Sequence, residues 1–228
     1  MMKLYIGNKN YSSWSMRPWV MLKNAGIAFE EIKLRFDSFD ANSQFRQAIN
    51  KVSPVGKVPV LVDGDLTVWD TLAIAEYVAE SFPEKQLWPT DQAQRARARS
   101  ICAEMHSGFT NLRGACMMNI EAHLPEAGAL ALRDKPGVAA DVRRIETIWS
   151  ELLAAHGGPY LFGQRFTIAD AYFAPVCMRF HTYALTKNPH ILAYIEAIRN
   201  APGVQDWITD ALVENDFLDF EEPFRLKR

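Results

Sequence analysis

Apolar and polar positions alternate in short runs through the first eighty residues and then recur at helical spacing, so the pattern divides the chain in two. Lys3 to Gly7 reads as a strand and Trp19 to Ala25 as a helix, with Pro18 in its first turn and Gly26 where a helix-ending glycine belongs. Phe29 to Leu34 is a second strand, and a polar stretch then carries a helix near Ser43 to Asn50. Val58 to Val62 and Leu66 to Trp69 form a hairpin across Asp63-Gly64-Asp65, because an Asp-Gly pair between β-rich runs favours a tight turn. Thr71 to Phe82 closes the unit as a helix capped by Asp70, with Leu72, Ile74, Ala75 and Val78 at core-facing spacing. The order β-α-β-α-β-β-α predicts a mixed four-stranded sheet, its first two strands parallel through a helical crossover and its last two antiparallel.

Pro83 and Pro89 bracket a connector in which a helix cannot continue, so the expected division is 1–82, a linker 83–90 and an all-helical 91–228. Asp91 to about Met118 reads as one long helix, bent near Gly108 or Gly114. Val142, Ile145, Ile148, Trp149, Leu152 and Leu153 make the apolar stripe of an amphipathic helix over Gly137 to Ala155. Thr167-Ile168-Ala169-Asp170 has the spacing of a capping box and opens an apolar, central helix running to about His181. Two more helices, Ile191 to Asn200 and Val204 to Val213, precede a polar tail. The expected fold class is α/β plus all-α, a thioredoxin-like domain followed by a helical bundle.

With 228 residues, 49% apolar and 23% charged, the chain has the balance of a globular protein. Its net charge of −2 provides no cationic field for nucleic acid or an anionic membrane. No apolar run approaches the ~18 residues of a membrane span, the run Tyr172 to Met178 being stopped by Arg179, and the N-terminus lacks a signal-peptide pattern. The expectation is a cytoplasmic protein that binds neither nucleic acid nor membrane. Cys102, Cys116 and Cys177 stand far apart, outside any CxxC or metal-ligand spacing, and read as small core residues, so neither a disulfide framework nor a metal is expected.

Chemistry concentrates in three places that this strand order brings to one end of the sheet. Tyr11-Ser12-Ser13-Trp14-Ser15-Met16-Arg17 precedes the first helix, where unpaired N–H groups and a partial positive charge stabilise an anion and a hydroxyl can donate to it; serines there also serve as caps. Val58-Pro59 heads the third strand, where a proline marks an edge or a cis bond that turns the backbone of Val58 toward a peptide ligand. Asp70-Thr71 opens the third helix, a second anion-favouring terminus with a hydroxyl on offer.

Taken together, these segments resemble the soluble glutathione transferases over essentially the whole chain, most nearly bacterial, serine-type members of zeta or theta character. Tyr11 to Arg17 resembles the serine loop of those classes, Val58-Pro59 the cis-proline motif, Asp70-Thr71 the Glu/Gln-Ser pair, and Thr167 to Asp170 the capping box of the helical domain. The resemblance implies glutathione across the end of the sheet, its cysteinyl backbone on Val58, its γ-glutamyl carboxylate at Asp70-Thr71 and its glycyl carboxylate near Lys57. Ser13 is then the first choice to hold the sulfur as thiolate and Ser12 the second. His106 becomes a contact from the second domain, with Phe109 and Arg113 beside the acceptor and Met105, Met117 and Met118 as further lining. A homodimer is implied too. The reaction is transfer of glutathione to a small hydrophobic electrophile. The alternatives are a zeta-type cis-trans isomerase of a maleylacetoacetate-like substrate, for which Arg113 would hold the acid, and a non-catalytic scaffold. With no cysteine before residue 102, mixed-disulfide chemistry has no nucleophile in the first domain.

Overall fold

Leu4 and Ile6 are fully buried and Lys3 is exposed, the alternation a strand needs to face a core; β1 (Lys3–Ile6) thus lies inside the sheet of the computed structural model, which describes residues 1–228. β2 (Glu30–Lys33) runs parallel to it on one side, with Lys3 opposite Glu30. β3 (Val60–Asp63) is antiparallel on the other side and β4 (Leu66–Val68) antiparallel to β3, so the order is β2-β1-β3-β4. Gly64 turns the hairpin with φ +57°, a conformation that costs a residue without Cβ little.

α1 (Ser13–Asn24) starts well before Trp19, so Pro18 lies inside the helix rather than in its first turn. The proline removes one backbone donor, yet its fixed φ is helical. The run Ser13 to Arg17, polar enough to read as a loop, is held helical by burial against the second domain. α1 ends as expected: Gly26, at φ +64°, donates to Lys23 O, and Ile27 donates to Leu22 O. α2 (Gln44–Asn50) is capped by Ser43, whose hydroxyl accepts from the Arg46 N–H at 3.1 Å. Asp70 caps α3 (Thr71–Ser81) by accepting from the Thr71 N–H. Along α3, Ile74, Ala75 and Val78 are buried while Leu72 is only partly so.

Beyond a short 3-10 turn at Pro83–Lys85 the chain is helical. The expected single helix over 91–118 is instead two, α4 (Gln92–Ser107) and α5 (Thr110–Ala115). Phe109 takes φ +56° between them, and the Leu112 N–H at the start of α5 finds its acceptor in Asp141 at 2.9 Å, so a tertiary contact stabilises the break. α6 (Pro125–Asp134) has no counterpart in the sequence reading: its buried positions are Gly128 and Ala131, too small to show a stripe. A side chain at Gly128 would overlap the Tyr183 carbonyl, so close backbone approach is what the glycine permits.

α7 (Pro136–His156) carries the expected stripe, with Leu153 at its edge only partly buried, and ends at Gly157, φ +76°. α8 (Ile168–Tyr183) is buried along nearly its whole length. Its capping box is formed: the N–H of Thr167 donates to Asp170 Oδ2 at 2.8 Å, and Asp170 Oδ1 accepts from Leu161 N–H at 3.0 Å. Burial outweighs these bonds and raises the carboxyl of Asp170 to about 6. α9 (Pro189–Arg199) and α10 (Pro202–Glu214) follow, α8 and α10 forming the main helical contacts of α1. All three cysteines are free and buried, and no helix is long and apolar enough to cross a membrane.

Candidate functional site

The beginnings of α1 and α3 and the segment before β3 converge at one end of the sheet, where two adjoining cavities open. The smaller, about 230 Å³, is walled by Trp14, Lys57, Val58, Pro59, Asp70 and His106, among others. The larger, about 430 Å³, reaches from Ser12, Ser13 and Val58 to Arg113 and Met117 in the second domain. Trp14, Lys57 and Val58 belong to both, so the two form one groove.

The Val58–Pro59 bond is cis, and no turn or loop hydrogen bond uses the Val58 N–H or carbonyl. That leaves a main-chain edge facing the groove, the feature an extended peptide ligand pairs with. Across it, the serines differ in their commitments. The Ser12 hydroxyl donates to Ser15 Oγ at 2.7 Å, and Ser15 Oγ also accepts from the Gly7 N–H. Ser13 Oγ accepts from Nη2 of Arg179 at 3.3 Å, which leaves its own proton available.

Three arginines surround this loop, and none pairs with a carboxylate. Arg17 is sandwiched between the rings of Trp14, 4.0 Å away, and Tyr172, 4.7 Å away, and its Nη1 has no partner. Arg113 lies over Trp14 at 5.3 Å with its buried Nε unpartnered. Arg179 is held by the Cys116 carbonyl at 2.9 Å. Burial pulls Arg17 and Arg179 down to about 10 and Arg113 in the same direction, the mutual repulsion of the cluster adding to the effect on Arg17 and Arg179. Arg46, Lys57, Arg113 and Arg179 face the larger cavity against a single carboxylate, Glu221.

At the other end of the groove, His106 joins the domains. Its Nε2 is 3.4 Å from Asp70 Oδ2, its Nδ1 3.2 Å from Tyr172 Oη, and its ring meets Trp14 edge-on at 5.1 Å. Thr71 departs from expectation: it is buried and its hydroxyl is 2.6 Å from Tyr172 Oη, so it is spent on α8 rather than turned to the groove. Phe109 departs too. The left-handed turn that ends α4 drives its ring into the core, and it lines neither cavity, as is also true of Met105. Met117 and Met118 do line the larger cavity.

The sequence reading missed Arg179, Arg46, Tyr172 and the tail. A signal existed for Arg179, a cation deep in an apolar helix whose other charge, Asp170, is taken up by the capping box. The tail, expected to be merely polar, folds back over the groove. Arg35 holds Asp216 with two bonds of 2.7 Å, Tyr11 donates to Glu222 at 2.7 Å, and Phe220 packs on Phe39 at 5.3 Å. Phe217, Leu218, Phe220 and Phe224 between its charges were the legible hint.

Comparison with known proteins agrees with this architecture. Residues 11–81 match the family model for the glutathione S-transferase N-terminal domain and residues 92–210 that for the C-terminal domain. A glutathione S-transferase of Escherichia coli O157:H7, GstA, is 32% identical over 68% of this chain and 74% of its own. A probable maleylacetoacetate isomerase of Caenorhabditis elegans is 27% identical over 82% of each chain. The crystal structure of a glutathione transferase homologue from Burkholderia with bound glutathione superimposes with a TM-score of 0.68, covering 93% of this chain and 98% of its own at 24% identity. The chain belongs to the glutathione S-transferase family.

Proposed function

We propose that glutathione lies along the groove with its cysteinyl backbone against Val58 and its sulfur beside Ser13, where it is held as thiolate for attack on a small electrophile. The observation that carries this reading is the pairing of an unspent Val58 main chain on one wall with the Ser13 hydroxyl at the start of α1 on the other. The residues present suit the tripeptide. Asp70, exposed at the mouth, matches the γ-glutamyl ammonium, the first-turn N–H groups of α3 match its carboxylate, and Lys57 matches the glycyl carboxylate. Ser12 stays the second choice for the sulfur, its proton being engaged by Ser15.

Within this reading residues 1–82 supply the glutathione half of the groove, 83–90 the link, and 91–228 the acceptor half through Arg113 and Met117. The protein acts in the cytoplasm as a homodimer, a state that light scattering measures. Retention on immobilised glutathione with release by the free tripeptide, and glutathione-dependent consumption of an activated aryl halide, test it; a chain that does neither is not this enzyme.

One observation favours the second reading. Two cations on the acceptor side, Arg113 and Arg179, against one carboxylate, Glu221, suit an acid better than a neutral arene. A cis-trans isomerase acting on an unsaturated diketo acid would return glutathione unconsumed, so the stoichiometry of glutathione use separates the two reactions.

A further inference from the structure

Arg179 enters the site from the middle of α8, yet its nitrogens meet only neutral acceptors: the Cys116 carbonyl at 2.9 Å, the Pro175 carbonyl at 3.4 Å and Ser13 Oγ at 3.3 Å. Burying a guanidinium without an ion pair is expensive, and an anion arriving next to it recovers part of that cost. The groups facing it include Arg17 from α1, Arg113 from α5, Cys116 after α5, Tyr183 on α8 and, from the tail, Glu221, itself beside Glu222. The neighbouring guanidiniums are thus equally without a carboxylate partner.

We propose that Arg179 is a positioning residue for the thiolate: by donating to Ser13 Oγ it occupies a lone pair, directs the Ser13 proton to the glutathione sulfur and adds an unneutralised positive charge behind it. This rests on the reading of glutathione above. In the ionisation step the S–H bond breaks and its proton leaves to solvent, the sulfur keeps the electron pair and accepts from the Ser13 O–H, and Arg179 stays protonated throughout. A donated O–H already favours the thiolate over the thiol, and the cation behind it adds to the same preference.

The test is an ultraviolet titration of thiolate in the complex with reduced glutathione, with binding of S-methylglutathione as a control that has no thiol to ionise. The wild-type complex is expected to titrate well below the ~8.5 of a free cysteine. Arg179→Gln should raise the midpoint by about one pH unit, leaving about tenfold less thiolate at any pH below both midpoints. S-Methylglutathione affinity should stay within about twofold. Should Arg179→Gln fail to fold, Arg179→Lys decides: it keeps a cation but not the directed bond, so the midpoint rises and adding Ser13→Ala raises it little further. Repeating the titration in Glu221→Gln removes the one titrating carboxylate nearby. A wild type that binds neither ligand overturns the glutathione reading and this one with it. Tight binding with the midpoint unmoved in Arg179→Gln, or in Arg179→Lys with Ser13→Ala fully effective, overturns the role of Arg179 alone.

Discussion

The hydroxyl of Tyr172 on α8 lies 2.6 Å from that of Thr71 at the start of α3, fastening the helical domain to the sheet domain beneath the groove. His106 Nδ1 shares the same oxygen at 3.2 Å. Tyr172→Phe deletes the only hydroxyl that buried Thr71 reaches. It should cost about 1–2 kcal/mol, or a few degrees of Tm at ~2–4 °C per kcal/mol for a chain of this size. Urea denaturation checks this. An unchanged midpoint would mean that Thr71 is satisfied elsewhere, which would return its hydroxyl to the list of ligand contacts.

Ser13→Ala should leave the fold intact and glutathione affinity within a few-fold, while turnover at a pH below both midpoints falls roughly tenfold as the bound thiol titrates about one unit higher. Ser12→Ala should do less, because the Ser12 proton already serves Ser15. Steady-state kinetics across pH decide between the two. The reverse ranking would move the thiolate to Ser12, and two silent variants would remove the hydroxyl from the mechanism.

Asp70 both caps α3 and faces the groove, and the two roles separate by substitution. Asn is about as good a cap as Asp, so Asp70→Asn should shift stability by less than ~0.5 kcal/mol while weakening glutathione binding about tenfold through loss of the carboxylate that meets the ammonium. Asp70→Ala should lose both. Calorimetry of binding beside thermal unfolding reads the split, and unaltered affinity in Asp70→Asn would place the ammonium elsewhere.

Glu221, buried where the tail crosses the groove, has its carboxyl raised to about 7, chiefly by burial, with Arg179 opposing and Glu222 reinforcing the shift. The folded chain therefore retains a proton that the unfolded chain, at the ordinary 4.5, has already lost. Stability contributed by this site is complete below about 4.5 and declines as pH rises to about 7. Glu221→Gln, neutral at every pH, should match the wild type near pH ~4 and exceed it near pH ~8. Parallel stability curves for the two proteins would show that the carboxyl titrates normally.

How much of this was readable before the structure depended on whether local chemistry or distant packing decided each element. The hairpin, the Gly26 ending and the Asp70 and Thr167 caps were legible because each rests on residues close together in the chain. The start of α1 was not: Ser13 to Arg17 is helical where α8 packs on it, Arg17 donating to the Tyr172 carbonyl and Arg179 to Ser13 Oγ. Nor was the break at Phe109, which a carboxylate on α7 stabilises through Leu112. Val58, Pro59, Asp70 and the paired serines were found at the groove, as were His106 and Arg113, whereas Thr71 and Phe109 face away from it.

From the order of residues alone came two domains, the mixed sheet and the segments that meet at its end, since hydrophobic period, turn chemistry and caps act over a few residues. The tertiary structure alone decided which atom of each segment is free to act. Whether a serine proton is spent on a neighbouring hydroxyl or a threonine on a tyrosine depends on partners as far apart as Thr71 and Tyr172, brought together only when apolar burial has closed the core. The same closure carried Arg179 to Ser13.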